Sequence, residues 1–460
     1  MPEQAADLVI LGGGSGGYAC ALRAAELGMS VVLVEKDKLG GTCLHRGCIP
    51  TKALLHAAEV ADTARDGAAV GVLSQLVGID MPGVHAYKDG VVSRLYKGLQ
   101  GLVRSRGIDL VSGTGTFVGP TSVEVDGTTY TGRHVVLATG SYAKTLPGLE
   151  IGGRIITSDQ ALTWDTVPQR VVILGGGVIG VEFASVYRSF GAEVTVVEAL
   201  PRLVPNEDEF ASKLLERAFR RRKITAKTGV RFTGAKAHDD RVTVSLESGE
   251  ELEADLLLVA VGRGPNTTGH GYEAAGVAMD RGFVTTDERL RTNLPGVYAV
   301  GDIVRGLQLA HRGFAHGIFV AEDIAGLEPA VIDEAGIPRV TYCEPEVASV
   351  GLTEAQAREA HGEIETLTYD LGGNGKSQIL QTSGAIKLIR AGGNDTGGPV
   401  VGIHMVGARV GELIGEAQLV YNWEAEPGDV APLIHAHPTQ NEALGEAHLA
   451  LAGKPLHTHG

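Results

Sequence analysis

Short, unbroken apolar runs bounded by glycines punctuate the chain. Leu8–Leu11 and Val31–Val34 are of this kind, and the pattern predicts buried parallel strands. Between them lie a glycine-rich turn and a helical stretch. The whole strand–turn–helix–strand unit at 8–35, LVILGGGSGGYACALRAAELGMSVVLVE, returns at 171–198 as VVILGGGVIGVEFASVYRSFGAEVTVVE. At a constant offset of 163 residues, Gly12, Gly14, Gly17 and Glu35 meet Gly175, Gly177, Gly180 and Glu198. Twelve of the 28 positions are identical without a gap. The glycines of a G-x-G-x-x-G turn allow a close approach to a pyrophosphate. The following helix offers free N–H groups to it, and the closing acid accepts hydrogen bonds from a ribose diol. One such turn is also what tight packing alone requires. The whole unit recurring in register points to two dinucleotide sites, hence to electron transfer between two dinucleotides. Glu198 would repel a 2′-phosphate, which favours NAD over NADP in the second site. Arg202 nearby is read as a solvated loop residue.

Between and beyond the repeats, the pattern predicts a helix at about 50–64, a polar loop around 78–90 and a helix at about 91–106. Short strands follow near 108–118 and 121–130, with the turn Gly113-Thr114-Gly115 between strand elements. His134–Gly140 reads as a returning strand, and Pro147-Gly148 as a linker. The basic segment Arg217–Lys223 reads as a solvated helix face. Thr292–Asp302 is a turn, a buried strand and an acid, with a helix at about 308–325, and is expected to rejoin the first domain. Pro338 opens a last domain with strands at Ala385–Arg390 and Val400–Val406 and helices at Thr353–His361 and Gly411–Trp423. The expected fold is α/β. Two Rossmann-like dinucleotide-binding domains occupy 1–150 and 151–267, a central segment at 268–337 returns to the first, and an α+β domain fills 338–460.

Composition narrows the field. Sixty-five glycines among 460 residues show no G-X-Y period, which excludes collagen. The net charge of −15 argues against nucleic acid or an anionic membrane surface as partner. No apolar run reaches a membrane span, and the polar start leaves no room for a targeting sequence, so a cytoplasmic enzyme is expected. Four cysteines do not make a secreted disulfide framework. Cys20 is expected to pack inside the first helix, and Cys343 to be structural in an early strand of the last domain. Neither completes a metal site.

The other two cysteines carry chemistry. In Gly40-Gly41-Thr42-Cys43-Leu44-His45-Arg46-Gly47-Cys48-Ile49-Pro50-Thr51-Lys52, Pro50 marks the first turn of a helix. Cys48 therefore sits at a helix N-terminus, where the dipole favours a thiolate, and Lys52 projects from the same end. Such a pair cycles between disulfide and dithiol. Near the C-terminus, His435-Ala436-His437-Pro438-Thr439-Gln440-Asn441-Glu442 precedes a helix at Ala443–Ala452. A histidine oriented by a carboxylate is the acid–base group that thiol–disulfide exchange needs. Glu446, His448 and the tail His457-Thr458-His459 are read as exposed and inert.

With these motifs in place, the chain resembles the pyridine nucleotide-disulfide oxidoreductases, and within them the dihydrolipoamide dehydrogenases. The resemblance runs over essentially all 460 residues. It rests on G-G-T-C-L-x-x-G-C-I-P-T-K, A-T-G, G-G-G-V-I-G-x-E, V-G-R-x-P-N, T-N-x-P-G-V-Y-A-x-G-D and H-A-H-P-T-x-x-E. It implies FAD on the first unit, through Gly12, Gly14, Gly17, Glu35, Lys52, Gly115, Thr139, Gly140, Ser141, Asp302, Ala310 and His311. It implies NAD on the second, through Gly175, Gly177, Gly180, Glu198, Val230 and Gly262. By the same resemblance Cys43 exchanges with the substrate disulfide, Cys48 faces the flavin and Lys52 pairs with Glu182. His437 is the base, Glu442 orients it, and a cis bond precedes Pro438. The last domain is then a dimerisation domain that delivers His437 to the disulfide of the other subunit of a homodimer. The implied reaction oxidises protein-bound dihydrolipoamide and reduces NAD⁺. The implied partner is the lipoyl-bearing acyltransferase core of a 2-oxoacid dehydrogenase complex.

Two departures stand out. His45-Arg46 replaces the common Asn-Val, placing positive charge that either favours thiolates or meets the dimer partner. Ala315-His316 stands where an acidic pair is commoner. Three other readings stay open. One is an NAD(P)H-dependent reductase of a small disulfide such as glutathione or mycothiol. Another is a quinone reductase or transhydrogenase, and the last a non-catalytic docking subunit.

Overall fold

The computed structural model describes residues 3–392 and 397–457. The apolar runs form the strands they predict. In the first sheet Asp109–Ser112, Val31–Glu35, Glu3–Leu11 and Thr128–Leu137 lie parallel, with Leu8 opposite both Val31 and His134. Thr128–Leu137 is long enough to take two neighbours on its far side. Its start pairs antiparallel with Ser122–Val125, which carries Gly115–Gly119, and its end pairs parallel with Val297–Ala299. The second sheet is parallel in the order Ile224–Thr228, Glu193–Glu198, Arg170–Leu174, Leu256–Val259, Ile155–Thr157. An antiparallel three-stranded sheet, Phe232–Ala237, Val242–Leu246 and Glu251–Ala254, packs beside it. The last body is an antiparallel five-stranded sheet of Arg339–Thr341, Glu346–Gly351, Val400–Gly407, Ala385–Ala391 and Ile364–Asp370.

What positions the site is a core shared between the bodies. Leu54 and Ala58 of the Cys48–Asp66 helix pack with Phe183, Ala184 and Tyr187 of the Val178–Phe190 helix. Cys343, Val347 and Val406 of the last body close the same cluster. The helix that begins at Cys48 is thus held by the second and third bodies as well as its own. Ser141–Ala143 and Arg263–Pro265 pair antiparallel and tie the first two bodies together once more.

The structure corrects several sequence expectations. Residues from Met81 onward are not a polar loop: one helix runs Met81–Ser105, with Pro82 in its first turn. Its exposed polar face hid the period. The stretch near 121–130 is two strands, split by a turn at Asp126 and Gly127, both at positive φ. Cys343 lies between two strands, buried, its thiol donating to the Pro345 carbonyl. Arg222 is not a solvated helix residue. Its guanidinium bonds Asp62, Ser189 and the Glu344 carbonyl, so it bridges all three bodies. Glu446 and His448 are buried, because this face of the Glu442–Leu451 helix packs on the last sheet. His448 Nδ1 donates to the Leu444 carbonyl at 2.7 Å. His457 is paired as well, with Glu446 at 2.8 Å. Thr458 and His459 lie outside the described residues. No helix among the described residues is long and apolar enough to cross a membrane, and none of their side-chain clusters is suited to a metal.

Candidate active site

Cys43 lies in the short helix Gly41–Arg46, and Cys48 opens the helix Cys48–Asp66. Both are free thiols, partly buried. They divide the proton unequally. The Cys43 S–H donates to Cys48, which lowers the Cys48 pKa, and the Lys52 charge lowers it further against the opposing effect of burial. The outcome is a Cys48 thiol brought down to about 7. Cys43 is pushed up, first because it is the donor in that bond and then by burial. Cys48 is therefore the thiolate of the reduced pair.

Lys52 donates to both oxygens of Glu182, at 2.8 and 2.9 Å. Burial works against the ammonium charge, but Glu182 and the Cys48 thiolate outweigh it and raise the Lys52 pKa. Tyr342 caps the pair: its N–H donates to Glu182 at 3.0 Å, and its ring lies 4.8 Å from the Lys52 nitrogen. His45 and Arg46 take no part. His45 Nε2 donates to the Leu39 carbonyl at 2.8 Å, and Arg46 pairs with Asp37 at 2.7 Å.

The two glycine turns have the same construction. Gly12 and Gly175 adopt φ of 111° and 106°. A Cβ on Gly17 would lie 1.8 Å from the Gly12 carbonyl, and one on Gly180 1.9 Å from the Gly175 carbonyl. The acids close each turn. Glu35 accepts from Gly13 N–H at 2.7 Å and Asp37 N–H at 2.8 Å; Glu198 accepts from Gly176 N–H at 2.6 Å and Leu200 N–H at 2.7 Å. Arg202 turns away to the Pro205 and Glu207 carbonyls. The helices starting at Ser15 and Val178 have no side-chain cap, so their first N–H groups face outward. A Cβ on Gly14 would approach only Gly41, at 4.0 Å, and one on Gly177 would meet open space. Both cradles fit a dinucleotide pyrophosphate.

The remaining first-site residues gather around one edge. Ser141 Oγ donates to Asp302 at 2.5 Å. Thr139 Oγ1 donates to the Asn266 carbonyl at 2.6 Å, and Gly140 takes φ 76°. Ala310 opens the Ala310–Ile324 helix, whose His311 bonds the Pro338 carbonyl at 2.7 Å. Gly115 is pressed between Leu11 and Val34, where a Cβ would come within 2.5 Å of Leu11. In the second body Val230 N–H donates to the Glu198 carbonyl, and Gly262 takes φ 102°.

His437 bonds Glu442 through Nδ1 at 2.7 Å, and the peptide before Pro438 is cis. A carboxylate only accepts, so Nδ1 carries the proton and Nε2 of the neutral ring is the free base. Burial alone would raise the Glu442 pKa, but the His437 bond and the Thr439 N–H lower it. The His437 side chain is 74% exposed.

Sequence reasoning missed three neighbours. Arg263 donates to Ser141 Oγ at 2.8 Å, to the Ser141 carbonyl at 2.9 Å and to Thr42 Oγ1 at 3.4 Å, joining the Asp302 edge to the cysteine loop. Its signal was present in V-G-R-x-P-N. Tyr342 and Tyr18 gave none. Burial and the two cysteines push the Tyr18 phenol up to about 12.

This geometry, two dinucleotide cradles converging on a polarised dithiol, is that of a disulfide oxidoreductase. Residues 6–317 match the pyridine nucleotide-disulphide oxidoreductase family, and residues 337–448 match the dimerisation domain of that family. The chain belongs to this family and is a flavoprotein disulfide oxidoreductase using FAD and NAD. It is 39% identical to a dihydrolipoyl dehydrogenase of Bacillus subtilis, over 98% of this chain and 99% of that protein. It is 38% identical to the dihydrolipoyl dehydrogenase of Thermus scotoductus, over 98% of each. Among solved structures it resembles LpdA from Mycobacterium tuberculosis, with a TM-score of 0.90 at 25% identity, covering 98% of this chain and 100% of that one.

Proposed function

We propose that the chain oxidises protein-bound dihydrolipoamide to lipoamide and reduces NAD⁺ to NADH, serving a 2-oxoacid dehydrogenase complex through its lipoyl-bearing acyltransferase core. The observation that carries the reading is the unequal dithiol held over Lys52–Glu182. His437 takes a proton from one substrate thiol at Nε2, and Glu442 holds the resulting imidazolium. The substrate thiolate attacks Cys43 Sγ; the Cys43–Cys48 bond breaks, and Cys48 leaves as a thiolate facing Lys52. The second substrate sulfur, also deprotonated, attacks its mixed-disulfide partner and releases lipoamide. Cys43 takes up one of the two protons and donates to Cys48, which is the arrangement the structure holds. FAD, when bound, supplies the two-electron relay from the dithiol to NAD⁺. Gly12, Gly14, Gly17, Glu35, Gly115, Thr139, Gly140, Ser141, Asp302, Ala310 and His311 hold FAD in this reading. Gly175, Gly177, Gly180, Glu198, Val230 and Gly262 hold NAD. Because His437 is exposed within its own chain, it serves the cysteines of the second copy.

The Glu198 carboxylate and the curated relatives support NAD and lipoamide over a small-disulfide reductase. Steady-state assays test the choice. Turnover with dihydrolipoamide and NAD⁺ should exceed that with NADP⁺, and should exceed reduction of glutathione disulfide by NADPH. The reverse order would overturn the reading.

A further inference from the structure

His316 has no part in the mechanism above, yet it lies directly behind Asp302. His316 is fully buried, and the Gly301 N–H donates to its Nδ1 at 3.3 Å. One turn earlier on the same helix, Arg312 donates to the Gly301 carbonyl at 3.4 Å. The two side chains grip the peptide groups on both sides of Gly301, at φ 70°, where the chain turns to present Asp302. Glu334 anchors the grip. It accepts from Arg312 Nε at 2.7 and 2.9 Å, and lies 3.6 Å from His316 Nε2. Arg312 Nη2 donates to the Arg305 carbonyl at 2.6 Å, fixing the far end of the turn. The helix bearing both residues is closely packed. A Cβ on Gly317 would lie 2.2 Å from the Gly16 carbonyl, so this helix is pressed onto the one that forms the first pyrophosphate cradle.

We propose that neutral His316, with Arg312 and Glu334, is a clamp that positions the Gly301–Asp302 turn for FAD, and that protonation of His316 opens it. The Gly301 N–H requires an acceptor, so the proton of the neutral ring sits on Nε2, toward Glu334. Protonation turns Nδ1 into a donor facing another donor. The groups facing His316 are Arg312 from its own helix, Asp302 from the turn and Glu334 from the following loop. Burial and Arg312 lower its pKa, and Glu334 and Asp302 oppose them. The clamp is therefore closed at neutral pH and opens only below the usual histidine value of about 6.5.

The inference rests on the flavoprotein assignment, and its test reads FAD binding rather than turnover. FAD is removed from the full-length protein and its rebinding followed by flavin fluorescence across pH. His316→Leu should weaken FAD roughly tenfold at neutral pH, as a buried N–H loses its acceptor. His316→Asn, whose Oδ1 stands near the place of Nδ1 and does not titrate, should bind as the wild type at neutral pH. Wild type should release FAD increasingly as the pH falls below the usual histidine value and the imidazole protonates, and His316→Asn should not. Equal affinity of wild type and His316→Leu would overturn the clamp. So would identical acid profiles for wild type and His316→Asn, a comparison that stands even where His316→Leu does not fold. Failure of the wild type to bind FAD at all would instead overturn the flavoprotein assignment.

Discussion

Cys43 and Cys48 are alike in sequence, but the fold makes them unlike. Cys48 receives a hydrogen bond, a helix N-terminus and the Lys52 charge, while Cys43 gives its proton away. The Cys48 pKa lies below its ordinary value, so the thiolate is present above about pH 7 and lost as the pH falls through it. Lys52→Met removes the cation and leaves Glu182 facing the sulfur. It should move the thiolate titration of the reduced protein to higher pH by roughly one to three units; alkylation rates against pH would read this, and an unchanged profile would remove Lys52 from the role. His437→Gln should lower turnover by at least roughly 10²–10⁴-fold, the range of general acid–base catalysis. Near-normal turnover would show that another group moves the proton. These residues were legible in the sequence because their chemistry sits in short contiguous motifs. Tyr342 was not, because only the fold brings it over Lys52.

The elements that hold the site were legible to different degrees. The two β-α-β units stood out because the glycine turn, the strand and the closing acid each have a local physical cause. The Met81–Ser105 helix was half hidden, since polar residues and glycines on its exposed face masked the helical spacing. The Glu442–Leu451 helix misled at Glu446 and His448, because charge alone does not reveal a buried carboxylate with a histidine partner. Gly177 separates packing from binding at this scale. A Cβ there meets open space in the protein, whereas one on Gly180 would strike the Gly175 carbonyl. Gly177→Ala should therefore keep the fold and FAD while raising KM for NAD⁺ roughly tenfold, the cost of a methyl group in the pyrophosphate's place. Unaltered NAD⁺ kinetics would place the nicotinamide dinucleotide elsewhere.

The whole molecule joins its bodies with buried charge as well as with a shared core. Lys387 of the last sheet bonds Asp208 at 2.9 Å and Glu354 at 2.7 Å, and Asp208 also accepts the Glu354 N–H at 2.7 Å. Burial would raise the Asp208 pKa, but the Glu354 N–H and Lys387 hold it down to about 2. A depressed folded pKa contributes stability above the unfolded value of about 3.9 and loses it as the pH falls toward 2. Lys387→Met strands a buried carboxylate and should cost about 3–5 kcal/mol, read as a lower urea midpoint. An unchanged midpoint would show the pair to be solvated. Dimer assembly has its own signature. A mixed dimer of one Cys48→Ser and one His437→Gln subunit contains one complete site if His437 acts across the interface, and none if it acts within its own chain. Roughly half the wild-type turnover is expected, as one of two equivalent isologous sites survives. Activity no higher than that of the parent variants would contradict the shared site. Electrons should pass from dihydrolipoamide through the cysteine pair to NAD⁺, and anaerobic titration of the purified holoenzyme follows that path. Dihydrolipoamide should change the visible flavin spectrum, and NAD⁺ added next should restore it with stoichiometric NADH. A flavin that stays oxidised with dihydrolipoamide but responds to NADH or NADPH would contradict the account and assign the dithiol to another disulfide.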